Sequence, residues 1–231
     1  MSELAAVFFD MDGTVVETES LWYESEIRTM QHFGTDWTAH DQEVSLGGPF
    51  DRVAQYMAAK ARVDPADTAR TLSSEIEHLM RTRALNILPG VRELHAQLRT
   101  AGFPVALVSN SWRILIDIVI EETGLQFDVT VGSDEVLIPK PDPAPYLHAA
   151  ERLGVDPGNC VVLEDSATGI ASATAAGCFV VAVPQVSIVE PAPRRMIVRS
   201  LAGVHLDTLR DFVASGGTSN KLPPPQLSSD T

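Results

Sequence analysis

Positive charge is scarce in this sequence. Its 17 lysines and arginines face 31 aspartates and glutamates, for a net charge of -14. Only three are lysines: Lys60, Lys140 and Lys221. A nucleic-acid binder usually carries a basic face, so nucleic acid is not an expected partner. An anionic substrate would need local positive charge or a metal ion.

Cysteine is scarcer still. Cys160 and Cys178 sit inside the apolar runs "NCVVL" and "GCFVV". Buried free thiols are expected, because the pair lacks metal-site spacing and a disulfide framework would use more cysteines. No apolar run approaches the ~20 residues of a membrane span. The start, Met-Ser-Glu, lacks the basic stretch and apolar core of a signal peptide. A cytoplasmic protein with no membrane partner is therefore expected. The six histidines are scattered without metal-like spacing.

What the chain does have is a rhythm. Short apolar runs rich in β-branched residues occur at 5–9, 103–109, 127–132, 159–164 and 177–183, with a weaker one at 202–206. Near-continuous apolarity marks strands buried on both faces of a parallel sheet. Helix-like segments lie between them at 89–102, 111–124, 142–154 and 166–177, each ending in or just before glycine. Ser166 stands where an N-cap belongs. Alternation of this kind predicts an α/β fold with a doubly wound parallel sheet.

Residues 16–86 break the rhythm. Three amphipathic segments, with no convincing strand, predict an all-helical insert after the first strand. The α/β core is then 1–15 and 87–214. The Gly-, Ser- and Pro-rich tail, 215–231, is expected to be disordered.

Ligands of parallel sheets bind at the carboxyl ends of strands. The polar residues there are Asp10, Asp12, Gly13 and Thr14 after the first strand, then Ser109 and Asn110, and finally Glu164, Asp165 and Ser166. Lys140, flanked by prolines, precedes a helix. Together these hold four carboxylates and one ammonium, a costly group unless a cation neutralises it. Oxygen-only ligands with a phosphate suit Mg²⁺.

The order of these motifs resembles the haloacid dehalogenase superfamily, over roughly residues 5 to 184. Asp10-Met11-Asp12-Gly13-Thr14 matches its first motif and Ser109 its second. Lys140 in "KPDP" matches the third and "LEDSATGI" the fourth. The helical insert lies where the family's C1-type cap sits, and "LEDS" and the Pro89-Gly90 pair resemble the β-phosphoglucomutase-like branch.

The resemblance implies roles. Asp10 would be the nucleophile and Asp12 the general acid and base. Asp10 and Asp165 would hold Mg²⁺, with Asp12 contributing its backbone carbonyl and Glu164 a candidate ligand, directly or through water. Ser109 and Lys140 would hold the phosphoryl oxygens, and Gly13 and Thr14 would let backbone amides approach them. Asn110 is a candidate phosphate contact or a cap of the next helix.

The cap would set specificity, hinged near 15–18 and 85–89. Glu19 is a candidate substrate-facing acid. "LGGPFDR" (46–52) resembles the cap's specificity loop, with Gly48 and Arg52 as candidate contacts. β-Phosphoglucomutase carries an arginine in this loop, but Asp51 occupies that position here and Arg52 is one residue on. Hydrolysis of a small phosphomonoester, a sugar or polyol phosphate, is therefore preferred to a mutase. Asp12 argues against a dehalogenase and against a phosphonate hydrolase. An inactive binding or scaffold protein would show erosion of Asp10, Asp12 or Lys140, and none is eroded. The sequence leaves oligomeric state open and is compatible with a monomer.

Overall fold

The computed structural model describes residues 3–45, 50–185 and 188–218. The chain opens with β1 (Ala6–Phe9), followed by the short β2 (Val16–Glu17). Four helices come next: α1 (Glu19–His32), α2 (Ala39–Ser45), α3 (Phe50–Ala61) and α4 (Pro65–Thr82). The chain then runs β3 (Asn86–Ile87), α5 (Val91–Thr100), β4 (Val105–Val108), α6 (Arg113–Thr123) and β5 (Val129–Val131). It closes with α7 (Ala144–Leu153), β6 (Cys160–Glu164), α8 (Ala167–Ala175), β7 (Phe179–Ala182), β8 (Arg195–Ile197) and α9 (Leu206–Ala214).

Six strands form a parallel sheet in the order β5-β4-β1-β6-β7-β8. All four residues of β1 are buried, which explains its unbroken apolarity. Side chains alternate between two apolar layers. Val7, Phe9, Leu107 and Leu163 belong to one, and Ala6, Phe8, Ala106 and Val162 to the other. Cys160 and Cys178 are free and buried in the second layer, and desolvation pushes both thiols well above their ordinary range.

One expectation fails at the far edge of the sheet. Residues 202–206 are not a strand: Gly203 turns the chain at φ 83° and Leu206 opens α9. Leu206, Leu209, Phe212 and Val213 then recur at helical spacing on a buried face. The sixth strand is instead β8, which buries only Met196 and so offers no apolar run to detect.

The insert is helical, with a core of Met30, Trp37, Val53, Met57 and Leu72. It joins the sheet domain through an antiparallel pair, β2 with β3, in which Val16 faces Ile87. Asp64 caps α4 by accepting from the Ala66 N–H at 2.7 Å. Asp41 knits α2 to α3 through Tyr56 Oη at 2.7 Å and Lys60 Nζ at 2.5 Å, and Thr38 adds two further donors. Among the described residues no helix is long and apolar enough to cross a membrane.

Candidate active site

Register brings the chemistry together. Phe9 pairs with Leu107 on one side and Leu163 on the other. Asp10 comes next, and its N–H donates to the Leu163 carbonyl at 3.0 Å. It therefore stands beside Glu164, the last residue of β6. Ser109 leaves the adjacent β4 at the same level. The central β1 is where the strand order reverses, the usual place for a ligand.

Lys140 reaches into this point from the loop before α7. Its buried Nζ donates to Asp10 Oδ1 at 2.7 Å, Glu164 Oε1 at 2.6 Å and the Val108 carbonyl at 2.8 Å. Burial alone would lower its pKa, but the charges of Asp10 and Glu164 overcome this and raise it. Asn110 holds the lysine's backbone at both ends: its Oδ1 accepts from the Lys140 N–H at 3.0 Å and its Nδ2 donates to the Lys140 carbonyl at 3.1 Å. Its side chain thus helps to position Lys140.

Asp10, Glu164 and Asp165 each offer an oxygen, all within 4.8 Å of one another. Burial, reinforced by Glu164, drives Asp10 well above the ordinary carboxylate range, against the pull of Lys140. The same two causes push Asp165 up to about 7. One ammonium is too little charge for three acids, and the donor set is oxygen only, so the residues fit a hard divalent cation. The turn after β1 is shaped for this. Gly13 has φ +81°, and a Cβ there would lie 2.3 Å from Asp165 Oδ2. Thr14 donates to Asp165 Oδ1 at 3.3 Å.

Other expected roles change. The Gly13 N–H donates to the Val16 carbonyl at 2.9 Å and the Thr14 N–H to the Met11 carbonyl at 3.4 Å. Both amides close their own turn, so they do not face a phosphate. Glu164 is fully engaged: Lys140 and Tyr146 (2.7 Å) donate to Oε1, and the Ser166 N–H (3.3 Å) and hydroxyl (3.0 Å) to Oε2. Ser166 also caps α8, accepting from the Gly169 N–H at 3.0 Å. Asp12 lies outside the carboxylate cluster, its oxygens accepting from the hydroxyls of Thr18 (2.6 Å), Ser109 (3.1 Å) and Ser111 (2.8 Å).

A cavity of about 380 Å³ opens above these groups, between sheet and cap. Lys140 is its only cationic lining residue among those described. Glu19 lines it. Arg52 does not: it is exposed and donates to the Val44 carbonyl at 3.3 Å. Asp51, at the expected position, is likewise exposed and outside the lining. Gly48 lies outside the described residues.

Thr18, Ser111, Tyr146 and Gly169 carry no sequence signal of their own strength. Ser111 could have been suspected from "SNS", which sets a second hydroxyl two residues after Ser109. Tyr146 needs the tertiary fold, which stacks it on Phe8 at 6.3 Å under Glu164.

Comparison with known proteins agrees with this geometry. The family model for haloacid dehalogenase-like hydrolases matches residues 7–183. The chain belongs to that family of hydrolases. It is 32% identical over 226 residues to hexitol phosphatase B of Escherichia coli K12, covering 92% of this chain and 96% of the relative. It is 32% identical over 195 residues to protein CbbY of Rhodobacter capsulatus, covering 79% and 86%. The solved structure of CbbY from Rhodobacter sphaeroides in complex with phosphate superposes with a TM-score of 0.77 at 26% identity, covering 89% of this chain and 99% of that one.

Proposed function

We propose that this protein hydrolyses the monophosphate of a small sugar or polyol through an aspartyl-phosphate on Asp10. The observation that carries this is the pairing of Asp10 with the buried Lys140 at the floor of a cavity with no second cation among its described lining residues. The sugar-phosphate class rests on the resemblance to hexitol phosphatase B.

In the first step an Asp10 oxygen attacks phosphorus, a new P–O bond forms and the bond to the leaving alcohol breaks. Asp12 gives that alkoxide its proton. In the second step Asp12 takes a proton from water, the water oxygen bonds to phosphorus and the bond to Asp10 breaks. Phosphate leaves and Asp10 is restored. Lys140 carries charge complementary to the phosphoryl oxygens. The Ser109 hydroxyl can rotate from Asp12 to one of them. Asp10 and Asp165, with the Asp12 backbone carbonyl, would hold Mg²⁺, and Glu164 would steady the site through Lys140. The ion, when bound, offsets the negative charge of substrate and carboxylates together.

A phosphosugar mutase would need a grip for a second phosphate, and the outward position of Arg52 argues against one. The test is phosphate release from a panel of hexitol, pentose and hexose monophosphates, with Mg²⁺ and with EDTA. Metal-dependent release from one or a few is expected. Isomerised sugar phosphate with little free phosphate would overturn hydrolysis in favour of the mutase.

A further inference from the structure

The cap end of the cavity is chemically different from its floor. Glu26 of α1 and Gln42 and Ser45 of α2 line it there, in the same cavity as Asp10 and Lys140. Ser45 is 4% exposed, yet its hydroxyl has no hydrogen-bond partner among the described residues. A buried hydroxyl left unpaired is costly, and most such groups are completed by a partner. Glu26 is 5% exposed, and its Oε2 accepts the Trp37 indole N–H at 3.0 Å. Its Oε1 has no donor among the described residues. Gln42 Oε1 turns to the same indole at 3.4 Å, and its amide nitrogen has no acceptor among them.

The chemistry left open is therefore a carboxyl oxygen, an amide donor and a hydroxyl. Vicinal hydroxyl groups, which both donate and accept, complement such a set. A second phosphate does not: Glu19 and Glu26 are acidic, and Lys140 is at the floor. Trp22, Phe50 and Trp112 also line the cavity, with Phe50 and Trp112 packed edge to face at 4.2 Å. Such faces suit the C–H surface of a carbohydrate chain or ring.

We propose that Glu26, Gln42 and Ser45 form a hydrogen-bonding subsite for the distal hydroxyls of the leaving alcohol, which selects uncharged polyhydroxylated monophosphates over bisphosphates. This rests on Asp10 and Lys140 marking the phosphate end.

The test measures kcat and KM of the Mg²⁺-loaded enzyme on sorbitol 6-phosphate, ethyl phosphate, 2-aminoethyl phosphate and fructose 1,6-bisphosphate. Ethyl phosphate is too short to reach the subsite and reports the Asp10 chemistry alone. The wild type is expected to favour sorbitol 6-phosphate over the others. Ser45→Ala, which breaks no hydrogen bond among the described residues, should raise the KM for sorbitol 6-phosphate about tenfold, the scale of one hydrogen bond. Glu26→Gln keeps an acceptor for Trp37 and should lower the preference for sorbitol 6-phosphate over ethyl phosphate by a similar factor. Equal losses on long and short substrates, or a preference for the bisphosphate or the aminoethyl ester, would overturn the subsite. Failure of the wild type on every ester would overturn the Asp10 reading instead. The subsite would then be read without turnover: sorbitol 6-phosphate should raise the Tm of Asp10→Asn, and less so when Ser45→Ala is added, an unchanged rise being the contrary result.

Discussion

Lys140 Nζ lies between Asp10 Oδ1 at 2.7 Å and Glu164 Oε1 at 2.6 Å, one ammonium bridging the ends of two adjacent parallel strands. Both acids are buried, so the lysine neutralises charge inside the protein. Lys140→Ala would leave two uncompensated carboxylates inside the protein. It should cost about 3–5 kcal/mol of stability by urea unfolding. It should also lower kcat by roughly 10²–10³ where the protein remains folded. Near-normal turnover would show that the ammonium does not meet the transferring group.

Gly169 sits in the first turn of α8 under the Glu164 carboxyl. A Cβ there would fall 1.7 Å from Glu164 Oε1. Gly169→Ala should therefore push Glu164 off Lys140 and Tyr146 and lower both Tm and kcat. Alanine is otherwise the better helix former, by about 1 kcal/mol, so a gain in Tm would contradict the close approach.

The crowding of Asp10, Glu164 and Asp165 predicts stabilisation by a hard cation. Adding Mg²⁺ should raise the Tm and EDTA should reverse it, since a ligand of the native state alone stabilises it. Asp165→Asn should abolish the shift. A Tm indifferent to Mg²⁺ in the wild type would count against Asp10 and Asp165 as ligands.

Glu26 gives a pH signature. Burial pushes its carboxyl from an ordinary 4.5 up to about 7, against the Trp37 hydrogen bond. A raised acid pKa means the native state binds more protons than the unfolded chain in that window. Its contribution to stability is thus whole below about pH 4.5 and falls as pH rises to about 7, by up to roughly 3 kcal/mol. Glu26→Gln should flatten this part of the curve relative to the wild type. Parallel pH–stability curves for the two would rule it out.

Strand ends were the legible part of this sequence. Asp10, Ser109 and Glu164 each follow a run of buried apolar residues, and the parallel-sheet rule alone brings them to one edge. Backbone amides were not legible: Gly13 and Thr14 look like a phosphate cradle until the turn is seen to close on Val16 and Met11. Asn110 likewise serves the Lys140 backbone, a pairing 30 residues apart that no local pattern encodes. The edge strand β8 was lost because one buried residue makes no pattern, and α2 because seven residues make too short a period. Glu26 and Ser45 became visible only when helix rotation in the cap was known.

The proposed hydrolysis turns on a bond from Asp10 to phosphorus. The direct measurement is mass spectrometry of the Asp10 peptide after acid quench during turnover of the preferred monophosphate, alongside turnover by Asp10→Asn. One phosphoryl group on Asp10 in the wild type and no phosphate release by Asp10→Asn are expected. An unmodified peptide together with wild-type turnover by Asp10→Asn would contradict it.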